Sequence, residues 1–169
     1  MLRYMLVLAA CMIGTNAWAL DKDVCAAGMV CASKPQTIVD ALQAAGFRAT
    51  LSKSDTTGNP KIESAANGYK FGIYFYGCEK NVQCDAIQFL LSFQDDGTHT
   101  PELANKWNKD KRFIQMSVDD DRMLDLSYDL TTMGGLPARN FADVIEWWAA
   151  MMGEAGRFFK ENPAPKSSN

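Results

Sequence analysis

The chain has 169 residues, 47% of them hydrophobic, and a formal net charge of −3. That length suits one domain with a real core, and the acidic balance without clustered Lys and Arg excludes a nucleic-acid-binding role. The same charge gives no electrostatic reason to sit on anionic lipid, and the supply of aromatic and β-branched residues excludes general disorder.

The first residues, MLRYMLVLAACMIGTNAWA, have the layout of a secretory signal peptide. Arg3 supplies the positive start, an apolar run extends from Met5 to Ile13, and Ala17-Trp18-Ala19 has the small-x-small form of a cleavage site. The apolar run is about half the length a membrane-spanning helix needs, so no stable membrane span is expected. Cleavage after Ala19 implies a periplasmic or secreted protein. Leu8-Ala9-Ala10-Cys11 offers the alternative of lipoprotein processing at Cys11.

Residues 20–35 read as an irregular N-terminal segment. Pro35 then opens a helical pattern, Gln36 to Ala45, with Ile38, Val39, Leu42 and Ala45 on one face and Gly46 as the stop. Phe47, Ala49 and Leu51 alternate with Arg48 and Thr50 as in a half-buried strand. A turn over residues 54–60 leads into a short strand, Lys61 to Ala65, closed by Asn67-Gly68, a strong hairpin signal. Tyr69 to Tyr76 is the best strand, with Tyr69, Phe71, Ile73 and Phe75 on one face. Ile87, Phe89, Leu91 and Phe93 mark the next.

Thr100 is the expected N-cap of a short helix ending at Asp110, with Pro101 at its first position and Glu102 favouring its positive end. Phe113–Val118 and Met123–Leu130 form a hairpin around Asp119-Asp120-Asp121. Gly134-Gly135 closes it. A long helix follows, with Phe141, Ile145, Trp148, Met152, Ala155 and Phe159 on one line and Val144, Trp147, Met151 and Phe158 on a second. Consecutive strands joined by short turns mean antiparallel pairing. The expectation is an α+β fold, an antiparallel sheet covered by helices in the order α-β-β-β-β-α-β-β-α. Residues 161–169 read as a disordered tail.

Four cysteines remain after the leader, in two pairs of equal spacing, Cys25/Cys31 and Cys78/Cys84. An even count in an exported chain points to disulfides. Four cysteines allow three pairings, and the hairpin context of Cys78 and Cys84 favours the sequential one. A zinc site needs thiolates and shorter spacings, so no metal and no cofactor is expected.

Gly58-Asn59-Pro60-Lys61-Ile62, then Gly68-Tyr-Lys-Phe-Gly-Ile-Tyr-Phe-Tyr-Gly-Cys78, Cys84 and Ala86-Ile-Gln-Phe89 together resemble YbjN-domain proteins. Lys106-Trp-Asn-Lys109, Arg112-Phe113 and Gly134-Gly135 before a long closing helix fit the same pattern, so the likeness covers most of residues 36–160. Family members are described as bacterial sensory transduction regulators and look similar in fold to the small dimeric chaperones of type III secretion. The resemblance implies a non-enzymatic binding or regulatory module, chaperone-like, with no established set of functional residues.

Catalytic chemistry finds little support. His99 is the only histidine and reads as an exposed loop residue without a nucleophile frame. Asp119–Asp121 lack the spaced acids of a calcium loop. Asp125 and Asp129 on one strand are the only hint of a small hydrolase using paired carboxylates. A secreted inhibitor of a cell-wall enzyme is a further alternative, on size, export and disulfides alone. The aromatic excess is more telling. Tyr74 and Tyr76 sit opposite Phe71, Ile73 and Phe75, and Trp147 and Trp148 cannot face the same way on a helix. Tyr74, Tyr76, Val144, Trp147, Met151 and Phe158 are therefore the candidate interaction surface, for an unknown protein partner or a homodimer.

Overall fold

A computed structural model of the chain describes residues 25–163. The leader, its cleavage after Ala19, the alternative at Cys11 and most of the expected tail lie outside the described residues. Within them the expected order of helices and strands is found, with two further two-residue strands at the ends of the sheet region.

The described residues form eleven elements: β1 (Met29–Val30), α1 (Pro35–Ala44), β2 (Ala49–Lys53), β3 (Pro60–Ala66), β4 (Tyr69–Tyr76), β5 (Ala86–Phe93), α2 (Pro101–Asp110), β6 (Gln115–Val118), β7 (Leu124–Thr131), β8 (Leu136–Pro137) and α3 (Ala138–Glu161). Six strands form one antiparallel sheet in the order β2-β3-β4-β5-β7-β6. The fold is α+β.

Alternation decides the faces. Ile62, Phe71, Ile73, Phe75, Ile87, Phe89, Leu91, Met116, Leu124 and Leu126 are all buried on one side, as a period of two requires. Helix α3 lies against that side. The Trp148 ring sits 5.5 Å from Phe71 and 5.4 Å from Phe89, and Phe141 packs on Phe89 at 6.3 Å. Helix α1 adds Ile38, Val39 and Leu42. Helix α2 is held to the same core by Trp107, whose ring meets Phe158 at 5.4 Å and whose Nε1 donates to the Ile114 carbonyl at 3.0 Å. Its N-cap is Thr100, which accepts from the Leu103 amide at 3.1 Å.

The two short strands come from tertiary pairing that no local pattern announces. Strand β1 pairs with β8, and the Ala32 amide donates to Thr132 Oγ1 at 2.7 Å. Gly135 makes this possible: its φ is +84°, and a Cβ there would lie 2.8 Å from Met29 Cβ. Cys25 is bonded to Cys31 and Cys78 to Cys84 in the structure.

The sheet's two outer edges differ. Strand β6 is covered at Met116, whose amide donates to Asn108 Oδ1 at 2.9 Å and whose carbonyl accepts from Asn108 Nδ2 at 2.9 Å. The Asn108 side chain thus stands where a neighbouring strand's peptide group would. At the other edge, the outward backbone groups of β2 receive, among the described residues, one long side-chain contact of 3.5 Å from Gln43 Nε2 to the Ala49 carbonyl.

Candidate interaction surfaces

Among the described residues, no helix covers the outward face of the sheet. Tyr74 lies flat over Gly72, so close that a Cβ on Gly72 would fall 2.7 Å from the ring. Lys61 stands 5.5 Å above the same ring and donates to Glu63 at 2.9 Å. Tyr76 donates to Gln88 Oε1 at 3.2 Å, and Gln88 donates to Asp129 at 2.8 Å. Burial first, and then the Asp129 carboxylate, raise the Tyr76 phenol above its ordinary range. Asp125 stands four residues from Asp129 on the same strand, about 13 Å away at strand rise, beyond the separation a glycosidase pair uses. One oxygen of Asp125 is buried without a hydrogen-bond partner, between Ser92 of β5 and Ser117 of β6.

His99 departs from its expected exposure. It is buried, because the loop before α2 folds under the β6–β7 turn. Its Nδ1 donates to the Arg122 carbonyl at 3.0 Å, which leaves Nε2 3.8 Å from Asp96. Arg122 in turn donates to Asp95 at 2.6 Å. The hydrogen bond from Arg122 holds Asp95 below the usual carboxylate range. Asp119 accepts from the Met123 amide at 2.8 Å, so the acid run is a closed turn. Among the described residues, no group of three His, Cys, Asp or Glu side chains is placed to hold a metal.

The expected interaction set does not form one surface. Val144 and Phe158 are buried in the core, Phe158 because it packs on Trp107. Tyr74 and Tyr76 lie on the outward sheet face, whereas α3 covers the inward one. Met151 is half-buried, and only Trp147 on α3 is openly exposed, at 44%.

Trp147 gains a neighbour that lies outside the expected set. Phe113 is 60% exposed, and its ring stands 5.4 Å from Trp147. Read as strand in the sequence, it instead sits at the centre of a γ-turn: the Ile114 amide donates to the Arg112 carbonyl at 2.8 Å, and Phe113 has φ +68°. A bulky residue in that region is strained. Asp143 and Glu146 flank Trp147 in a shallow notch. Between α2 and α3, Lys111 donates to Glu154 at 3.1 Å and Arg157 also donates to Glu154, which closes the adjacent cleft with internal ion pairs.

Residues 34–161 match the family YbjN, described as "Putative bacterial sensory transduction regulator". The chain belongs to the YbjN family. Its YbjN domain takes in α1 through α3 and the Cys78–Cys84 bridge, while the Cys25–Cys31 bridge precedes the matched residues. The family's description is that of a regulator, so the YbjN domain is a regulatory or binding module in general kind. A solved structure, that of YbjN, a "putative transcription regulator" from E. coli, is 15% identical, with TM-score 0.48 over 70% of this chain and 84% of that one. No curated protein matches this chain. Among the described residues of the YbjN domain, no helix is long and apolar enough to cross a membrane.

Proposed function

We propose that this protein is an exported regulatory module that acts by docking another protein on the Phe113–Trp147 surface, without catalysis of its own. The observation that carries the reading is the exposed aromatic pair. Two large rings meet in solvent, and one is held there by strained backbone that the fold maintains. Exposed aromatic pairs are typical anchors of protein interfaces. Asp143 and Glu146 beside Trp147 favour a partner whose apolar contact is rimmed by Lys or Arg. The leader and the two disulfides support an oxidising compartment as the place of action.

A photo-crosslinking side chain placed at position 147, in cells making the full chain, tests both parts. The expected result is one adduct with a different envelope protein, absent when the probe sits at Asp120. Adducts confined to a second copy of the chain, or equal adducts from both positions, would overturn the docking surface. Fractionation that leaves the protein in the cytoplasm with its leader intact would overturn export.

A further inference from the structure

We infer that the open edge of β2 is a strand-addition site for an extended peptide bearing an aliphatic side chain and, two residues away, a carboxylate. The site is separate from the Phe113–Trp147 surface. It rests on three sets of observations.

The first is the hydrogen-bonding pattern of the edge. The Ser54 amide donates to the Asn59 carbonyl, and the β2–β3 register continues that pairing. Hydrogen-bonded pairs alternate in an antiparallel ladder, so Ser52 and Thr50 face β3. Ala49, Leu51 and Lys53 therefore direct their N–H and C=O groups away from the sheet. The opposite edge is closed by Asn108; among the described residues, this one is left open as a template for another chain.

The second is the groove beside it. Leu51 is 41% exposed and Val82 57% exposed. With Pro35 and Pro60 they line a groove of about 400 Å³ along the strand. Val82 reaches this position because the Cys78–Cys84 loop is pinned against the β2–β3 turn: Asn81 Nδ2 donates to the Thr57 carbonyl and to Asn59 Oδ1, each at 2.8 Å. Lys80, Asn81 and Gln83 all take positive φ in that loop. A strand laid on β2 directs alternate side chains into the groove, where an aliphatic group opposite Leu51 meets apolar walls.

The third is charge, which decides the occupant. Among the described residues, Lys53 is the one charged residue lining the groove, and it shares Leu51's face two residues on. A carboxylate at the matching peptide position meets it. A second copy fits worse. Two-fold antiparallel pairing centred on Leu51 sets Ala49 of the other copy, and no acid, opposite each Lys53.

The test is selection of a phage-displayed random heptapeptide library on the purified, oxidised chain, followed by affinity measurement for the winners. Enrichment of an acid and an aliphatic residue two positions apart is expected, acid-x-aliphatic for an antiparallel strand, with amide shifts on binding at Leu51 and Lys53. Leu51→Pro removes an outward N–H without touching the β3 ladder and should weaken binding at least about tenfold. Lys53→Glu, a surface change that leaves the fold intact, should shift selection from acidic to basic peptides. Winners without the acid, winners that bind Lys53→Glu equally well, no enrichment at all, or association of the chain with itself through β2 would each overturn the inference. None of these outcomes bears on crosslinking at Trp147, so the two proposals fail separately.

Discussion

Phe113 shows a single residue held against its own preference. A phenylalanine at φ +68° carries strain of about 1–3 kcal/mol that glycine would not. Phe113→Gly should therefore raise the urea midpoint, by about 1 kcal/mol of stability, while removing half of the exposed aromatic pair. A lower midpoint would mean that the contact with Trp147 outweighs the strain. The Asp95–Arg122 pair makes a second prediction at this scale. Asp95 is depressed in the folded state by Arg122's hydrogen bond and then by the Gly97 amide. Such a group adds stability above its unfolded pKa of about 3.9 and loses it as pH falls through the lower folded value. Unfolding followed between pH 5 and pH 2 should show this loss, and Arg122→Ala should make the profile flatter. Both groups are solvent-exposed, so the change is small.

At the scale of elements, Asn108 does for β6 what a seventh strand would do. Asn108→Ala leaves the Met116 amide and carbonyl without their partners and should cost about 1–3 kcal/mol. It also reopens an edge, so light scattering should show more self-association than in a surface control. Trp148→Ala, which empties the space between Phe71 and Phe89, should cost about 3–5 kcal/mol in denaturant unfolding. The elements themselves were largely legible. Strand β4 announces itself by strict alternation from Tyr69, α2 by Thr100 and Pro101, and α3 by repeated three- and four-residue steps. What alternation cannot tell is which apolar residue the neighbours leave uncovered. Leu51 continues the pattern of Phe47 and Ala49, yet it lies at the sheet's rim. Val144 and Phe158 look like a spare apolar line, yet α1, α2 and the sheet enclose α3 widely enough to bury them. Phe113 reads as strand because periodicity says nothing of a γ-turn. His99 reads as exposed because its cover comes from a turn more than twenty residues away.

For the whole molecule, the two bridges differ in what they hold. Cys78–Cys84 closes a loop at the end of a hairpin, and cutting it should cost about 2 kcal/mol by chain entropy. Removal of the Cys78–Cys84 bridge alone, by replacing both residues with serine, should also raise amide exchange across residues 79–83 and around Thr57. Cys25–Cys31 anchors a segment whose strand, β1, pairs among the described residues with β8 alone. The first described strand thus waits on the last. A chain that emerges N-terminus first makes Met29 and Val30 more than a hundred residues before Leu136 and Pro137 appear. The small ring between Cys25 and Cys31 needs no such delay, since its ends are local. Ring closure can therefore precede docking, and the N-terminal segment would travel as a preformed loop. It settles only when the start of α3 has arrived, which makes this clip the closing step of assembly.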